Sequence, residues 1–546
     1  MFKNHPKGLV VLFFTEMWER FGYYLMLGIF TLYMIDTQKG GLGLSLESAA
    51  DIYGTYLALV YLTPFIGGLL ADRILGYRRA IIFGGILMGM GYITLALPGV
   101  TAFWIALFLI IIGNGFFKPN ISTLVGNLYS EEKYLARKDS GFNIFYMGIN
   151  IGAFVCNFVA AYLRNHYGWG YAFAAAGIGM FIGVIWFMTG QKHIRDVDVL
   201  KPTNPEDMSL TKISAYVFLP VVVFGIIGWF IPENLFGSNS TDAFLFASTP
   251  VVLFFLSLWI RASKEDKAPI AALLSIFTVV IIFWAIFHQN GSALTVWAES
   301  YTNRSMPAVV EPVAKTFGMV QEVDTTPREV PKLDIHGKAI VDSDGRSITV
   351  MGPHPYLNNQ PKDEWPEDGK NLTLISTEIF QSVNPFFVVL LTPVVVFFFA
   401  FLRKRKREPS TPAKIGWGLF ITALSTVIMI GAVFASQNGL IKSSPWWLIS
   451  SYGVITIGEL FLSPMGLSLV SKLSPPRITA LMMGGWFLAT SIGNKMSGVL
   501  SGLWTRYDHK AVFFSINFTG ALLAALAIFL MIKWLRQVVK DHTGSH

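Results

Sequence analysis

The chain has 546 residues, of which 53% are hydrophobic and only 14% charged. A soluble domain carries about 25% charged residues, so a water-soluble enzyme, a disordered chain and a collagen-like repeat are excluded, and lipid must solvate much of the surface. The single cysteine, Cys156, excludes a disulfide framework and a cysteine-based metal site.

A membrane span needs ~20 mostly apolar residues. Fourteen such stretches follow one another: Gly8–Ile35, Ala50–Ala71, Ala80–Leu97, Ala102–Leu128, Gly141–Leu163, Trp169–Met188, Ala215–Ile231, Ala243–Ile260, Pro269–Trp297, Ile379–Leu402, Ile415–Ala435, Trp446–Val470, Ile478–Leu500 and Val512–Leu535. With the N-terminus inside, cytoplasmic segments hold 26 Lys and Arg, including Arg73, Arg78, Arg79 and the run Arg403 to Arg407. The short outer loops hold five, Lys39, Arg164, Lys442, Arg506 and Lys510. That asymmetry is the positive-inside pattern, and it makes the RKRKR run a topology anchor between two spans rather than a nucleic-acid site. The first stretch is too long and too charged for a signal peptide. The expectation is an integral, multi-pass protein of an inner or plasma membrane with both termini cytoplasmic.

From Glu299 to about Thr377 the chain turns polar, Pro-rich and acidic, and the topology puts this segment outside. Ala339–Ile340 and Ser347–Val350, around Asp344-Gly345, predict a small hairpin. The segment reads as a mobile decoration rather than a functional loop.

Ionisable residues at membrane depth cost ~2.5–3.5 kcal/mol each on insertion scales, so each needs a partner or a function. The first stretch holds Glu16, Glu19 and Arg20. Glu16 and Arg20 are i,i+4 on one helical face, with Tyr23 and Tyr24 on the next turn. Two acids against one base can carry an extra proton at little cost, which makes the stripe a proton site. Lys118, followed by Pro119, lies in the fourth stretch, and Glu459, with Pro464 five residues on, lies in the twelfth. These two charges are expected to meet across a central cavity. Lys495 and His288 are the remaining candidates, and His288 also reads as a satisfied neutral histidine.

TEMWERFGYY carries Glu-x-x-Glu-Arg-Phe, and this resembles the first-helix motif of the proton-dependent oligopeptide transporters, the POT or PTR family of the major facilitator superfamily. GGLLADRILG resembles the superfamily's loop motif between spans 2 and 3. FYMGINIGA, GNGFFKPNIS, FQSVNP, GELFLSPMGLS and MMGGWFLATSIGN resemble further family blocks, in order. The resemblance implies an all-α major facilitator fold of two six-helix bundles plus an extra helical pair. The implied division is 1–190 for the N-terminal bundle and 191–267 for cytoplasmic linkers and the extra pair. The C-terminal bundle begins with its first helix at 268–298, is interrupted by the extracytoplasmic insertion at 299–377 and continues over 378–546.

The same resemblance implies import of di- and tripeptides with protons by alternating access, with no enzyme activity, no cofactor beyond the coupling proton, lipid as the surrounding partner and a monomer as the working unit. Arg20 and Lys118, with Tyr23 and Tyr61, would take the peptide carboxylate, and Tyr24 would also belong to the substrate site. Glu459, with Asn150 and Asn384, would take the amino terminus. Trp284, Trp486 and Thr490 would line side-chain pockets. Glu16 and Glu19 would carry the proton, with Arg20, Lys118, Glu459 and His288 coupled to it. The sequence departs from the family where Leu27 replaces an arginine seven residues past Arg20, where His288 replaces its acidic partner, and where Gly54 stands at the histidine of animal members. Without that ion pair, the outer gate is expected to close by apolar packing around Leu27, with His288 opposite as a proton sensor. The alternatives are a carrier of nitrate or another metabolite, a drug exporter of the same superfamily, and a non-transporting receptor. The intact Glu16, Glu19, Arg20, Lys118 and Glu459 weigh against all three.

Overall fold

The computed structural model describes every residue except 1, 131, 136, 199–211, 213, 308, 335–337, 344, 476–477 and 544–546. The apolar stretches are helical. They form α1 (Lys7–Ile35), α2 (Leu46–Leu70), α3 (Tyr77–Leu95), α4 (Val100–Leu128), α5 (Lys138–Tyr167), α6 (Trp169–Gly190), α7 (Leu219–Trp229), α8 (Asn239–Arg261), α9 (Lys264–Phe287), α10 (Ala293–Ser300), α11 (Val383–Lys404), α12 (Thr411–Ala435), α13 (Pro445–Leu473), α14 (Thr479–Gly502) and α15 (Lys510–Thr543). Among the described residues, ten spans are long and apolar enough to cross a membrane by length and composition alone. The other four stretches explain themselves: α1 is interrupted by Glu16, Glu19 and Arg20, α7 is short, and α3 and α14 are diluted by glycine.

That glycine has a packing role. Lipid tails are as apolar as leucine, so helices associate where small residues let backbones approach. A Cβ on Gly67 of α2 would stand 2.1 Å from the Gly115 carbonyl oxygen of α4. One on Gly84 of α3 would stand 2.5 Å from Gly113 O, and one on Gly54 of α2 would stand 2.8 Å from Gly498 Cα of α14. The first two crossings knit the N-terminal bundle, and the third joins it to the C-terminal bundle.

The interior divides accordingly. One apolar core runs from Leu9 to Ile194 through α1–α6. Another is built from α8, α9 and α12–α15, from Phe255 to Val538. Each bundle thus packs around an apolar core of its own. The α7–α8 pair lies against α2 and α14, where the bundles meet. The GGLLADRILG loop forms a π-helical turn over Ala71–Leu75 that ends at Gly76 (φ 77°), and Tyr77 O–H donates to Asp72 Oδ1 at 2.5 Å. Asp198 caps α3 by accepting Tyr77 N–H at 2.8 Å and pairs Arg78 Nε at 2.9 Å, tying this loop to the segment after α6.

The ninth stretch differs from expectation. It is broken, with a 3-10 turn at His288–Gly291 between α9 and α10. The sequence HQNGS supplies the reason, since Gly291 faces the Tyr53 hydroxyl so closely that a Cβ would lie 1.8 Å from it. The carbonyls freed by the break are satisfied from neighbouring helices, as a membrane interior demands. Thr31 Oγ1 donates to Gly291 O at 2.6 Å, and Gln381 Nε2 donates to Asn290 O at 2.7 Å.

The insertion folds on its own small core of Val323, Tyr356, Leu357 and Leu374. Strand β1 (Val320–Val323) pairs with β4 (Leu372–Ile375), and β2 (Arg328–Pro331) pairs with β3 (Thr349–Gly352), both antiparallel. The expected hairpin is present, with Ile348 N–H donating to Ile340 O at 2.8 Å and Val341 bridging Ser347. Asp344, at its turn, lies outside the described residues.

Gly67→Ala should lower the detergent-solubilised melting temperature by the equivalent of ~1–3 kcal/mol of overpacking. Gly68→Ala, whose Cβ would meet Pro119 only at an ordinary 3.5 Å, should shift it by less than ~0.5 kcal/mol. Equal shifts in the two variants would argue against the close α2–α4 crossing.

Candidate functional site

The N-terminal bundle presents a buried charge cluster from one helix. Glu16, Glu19 and Arg20 are 3%, 0% and 4% exposed. Arg20 Nε pairs with Glu16 Oε1 at 3.0 Å and also with Glu19. Asn114 Nδ2 of α4 approaches Glu19 Oε1 at 3.5 Å, and the Arg20 guanidinium lies over the Tyr23 ring at 5.2 Å. Arg20 Nη2 is buried and has no hydrogen-bond partner among the described residues. A guanidinium presents a planar fork of donors, so the unfilled Nη2 beside the ion-paired Nε is a place for an incoming carboxylate oxygen.

Lys118 stands within electrostatic reach of this cluster, with Nζ 3.6 Å from the Tyr61 ring centroid. Tyr61 in turn meets His288 edge-on at 6.2 Å, and His288 stacks on Trp284 at 5.2 Å. The C-terminal bundle contributes Glu459 on α13. Asn384 Nδ2 of α11 donates to Glu459 Oε2 at 3.2 Å and to Thr456 Oγ1 at 2.9 Å. Tyr24, Tyr61 and Tyr146 lie within electrostatic reach of Glu459, and Tyr24 and Tyr61 lie within reach of Arg20 as well, so tyrosines link the cationic and anionic poles.

A family model described as PTR2, POT family, matches residues 78–320 and 370–527. The chain belongs to the POT family. An uncharacterized transporter of Bacillus subtilis is 32% identical over 97% of this chain and 94% of its own length. A di-/tripeptide transporter of Lactococcus lactis is 31% identical over 99% of this chain and 98% of its own. A crystal structure of a peptide transporter POT in complex with sulfate is 30% identical, with a TM-score of 0.77, covering 98% of this chain and 96% of that one. The protein is thus an all-α, multi-pass membrane transporter of this family and not an enzyme.

The POT residues expected from the sequence are brought together unevenly. Glu16, Glu19, Arg20, Tyr23 and Lys118 form one group, and Glu459 with Asn384 forms the other. Asn150 donates to Tyr146 O at 2.9 Å, next to the Glu459 side. Trp284 is buried with its indole N–H unpartnered, whereas Trp486 is packed against Gly466 in the C-terminal core. Thr490 is buried, and its hydroxyl donates to Trp486 O at 3.0 Å. Lys118 and Glu459 do not meet in this conformation: Lys118 covers Tyr61, and Glu459 is held by Asn384. Asn114, Thr456 and Tyr146 were not legible as site residues, because a lone polar residue in an apolar helix gives no spacing to read.

The outer closure is also different from expectation. His288 belongs to the aromatic group around Tyr61, and Leu27 packs against the N-terminal core. The outer ends are held by polar ties instead. Arg164 of α5 pairs with Glu378 at 3.2 Å, Asn157 Nδ2 donates to Ser382 Oγ at 3.1 Å, and Lys495 of α14 pairs with Asp51 of α2 at 2.6 Å. The insertion is docked on both bundles, so it is not a mobile decoration. Thr37 Oγ1 donates to Glu329 O at 3.1 Å, Ser347 N–H donates to Gly43 O at 2.7 Å, and Lys338 pairs with Glu47 at 2.7 Å. On the other side Asn359 Nδ2 donates to Ser300 O and Gly439 O at 3.0 and 3.1 Å.

His354 gives this docked domain a pH dependence. Its Nδ1 accepts Tyr356 N–H at 3.1 Å and is therefore unprotonated. Burial, partly offset by Glu299, holds its pKa down from 6.5 to about 4. The unfolded segment binds the proton first, so the domain's local stability is complete above pH ~6.5 and falls by up to ~3 kcal/mol as the pH drops toward 4. Hydrogen exchange of the insertion amides should accelerate over that window. His354→Asn, which keeps a capping acceptor but does not titrate, should flatten the response. A profile unchanged by that substitution would assign the effect to another group.

Proposed function

We propose that this transporter imports di- and tripeptides together with protons, by alternating access. The observation that carries the reading is the buried Arg20 with its unfilled Nη2, beside Lys118, with Glu459 of the other bundle joined to it through Tyr24 and Tyr61, which lie in reach of both. A peptide is a zwitterion of variable side chains. It needs a cationic pole, an anionic pole and walls tolerant of shape, and Tyr61, Trp284 and His288 supply such walls. The relative named as a di-/tripeptide transporter supports the same substrate class.

The coupling follows from charge balance. Arg20 is shared by Glu16 and Glu19, so in the empty site both carboxylates compete for one guanidinium in a medium that penalises unpaired charge. A peptide carboxylate that takes Nη2 adds a third anion against the two cations Arg20 and Lys118, and protonation of Glu16 or Glu19 restores neutrality. Proton and peptide therefore favour each other's binding, which is the requirement for symport. An electrical potential of 100 mV supplies ~2.3 kcal/mol per charge, and one pH unit adds ~1.4. Together they support a few-hundred-fold accumulation of a neutral dipeptide per proton. The protein would sit in the inner membrane with both termini cytoplasmic, as the basic-residue asymmetry directs. A carrier of nitrate on the same fold has no use for Glu459.

In proteoliposomes with an imposed proton gradient, labelled dipeptide should accumulate and a protonophore should abolish the accumulation. Concentrative uptake that survives the protonophore would refute symport. Glu16→Gln or Glu19→Gln should leave exchange of labelled for unlabelled peptide intact in at least one variant while abolishing accumulation, and parent-like accumulation in both would remove the carboxylates from the proton path. Lys118→Ala and Glu459→Ala should each reduce driven uptake at least ~100-fold, the loss expected when a desolvated charge contact worth about 3 kcal/mol is deleted.

A further inference from the structure

Lys495 has no part in the site above, yet it is a fully buried cation in the outer half of α14. Its ammonium has three protons and three acceptors. Asp51 Oδ1 and Thr55 Oγ1 of α2 each accept at 2.6 Å, and Ser240 Oγ of α8 accepts at 2.8 Å. Asp51 is as completely bound. Ser238 Oγ donates to its Oδ1 at 2.9 Å, Thr241 Oγ1 to Oδ1 at 3.2 Å, and Ser240 Oγ to Oδ2 at 2.5 Å. The hydroxyls are themselves fixed, because Ser238 caps α8 by accepting Thr241 N–H at 3.1 Å and Asp242 accepts Leu235 and Phe236 N–H groups at 2.7 and 2.8 Å.

Three bodies therefore meet in one polar knot: the N-terminal bundle through α2, the C-terminal bundle through α14, and the extra helical pair through the start of α8. The knot lies one helical turn from the Gly54–Gly498 backbone contact, and Ser491 Oγ donates to Ala58 O at 2.6 Å farther along the seam. No movement can part the outer ends of α2 and α14 without pulling Lys495 from Asp51 and Thr55.

We propose that Asp51 and Lys495 form an outer latch of the transport cycle, and that Ser238, Ser240 and Thr241 make the extra helical pair a working part of that latch. They are positioning residues, since none touches the peptide site. The inference rests on the alternating-access reading of the fold but not on the substrate class. While the latch is closed the hydroxyls orient Asp51 toward Lys495. When Lys495 withdraws they keep the Asp51 carboxylate solvated, so the latch can close again.

The test is a distance measured across the outer mouth. Tyr167 and Leu440 are exposed, 56% and 72%, at the outer corners of the two bundles. Cysteines placed at both positions in a Cys156→Ala background can carry spin labels in lipid nanodiscs, and pulsed dipolar spectroscopy then reads the separation without any substrate. Lys495→Met should raise the fraction of long separations at least roughly ten-fold over the parent chain. Asp51→Asn should do the same if Lys495→Met does not fold. Ser238→Ala/Ser240→Ala should shift the distribution in the same direction by a smaller factor, because the ion pair survives. The exchanged pair Asp51→Lys/Lys495→Asp should return toward the parent distribution. Parent-like distances in Lys495→Met and Asp51→Asn would overturn the latch, and parent-like distances in the serine double variant would overturn the part assigned to the helical pair. Failure of peptide uptake in the parent chain would refute the substrate reading and leave this outcome untouched.

Discussion

A charge inside a membrane must be paired, and in this chain each pairing also decides which surfaces stay together. Lipid cannot hydrate a guanidinium or a carboxylate, so the free energy of leaving one alone is large compared with any apolar contact between helices. Arg20 is held inside α1 by its own neighbours Glu16 and Glu19, which keeps that cluster intact whatever the bundles do. Lys495 and Arg164 are held by residues of the opposite bundle, so they are satisfied only while the outer end is closed. The local pairs can serve chemistry throughout a cycle, and the cross-bundle pairs can report and bias its state.

The same constraint explains why Lys118 and Glu459 need not touch. Lys118 rests on the face of Tyr61, where the ring quadrupole offsets part of its desolvation. Glu459 takes an amide donor from Asn384, whose own position is set by Thr456. Each pole is partly satisfied and neither is saturated. A bridge between them would consume both charges, whereas on the reading proposed above two poles held apart keep both charges available to a zwitterionic peptide.

What the sequence made legible followed from period and cost. Fourteen apolar stretches, the side of each loop and the stripe Glu16–Arg20–Tyr24 are all set by local rules, because a helix of known pitch must bury or pair what it carries. The pairing of charges across the molecule was not legible. Asp51 sits at the start of α2 as an ordinary loop-side acid, and nothing in its neighbours points to Lys495, 444 residues away in sequence. The missing arginine at Leu27 suggested an apolar gate because sequence shows which ion pair is absent but not which replaces it. The break at His288–Gly291 was hidden for a related reason: the apolar run continues through it, and only the approach of Tyr53 and Thr31 from another bundle shows why the helix gives way.

The insertion completes the outer end on the same terms. It is joined covalently to α10 before it and α11 after it, so it travels with the C-terminal bundle. Its backbone pairs with the loop between α1 and α2 through Gly43 and Ser45, and Asn165 at the end of α5 donates to Val320 O at 2.7 Å and to Ser376 Oγ at 2.6 Å. Gln321 of β1 stands between Arg304 and Arg164, accepting from the first at 3.0 Å and the second at 3.5 Å. These ties reach the N-terminal bundle at its outermost points, where a rocking motion produces its largest displacement. The Thr37–Glu329 and Lys338–Glu47 ties lie in water, where a broken contact is replaced at little net cost, whereas Gln321 is buried with both of its arginines. Lys495, Arg164 and Glu378 are buried too, and separating such charges is costly unless water follows. On the alternating-access reading proposed above, opening would therefore begin at the exposed contacts of the insertion, and the buried pairs would part only as water reaches them.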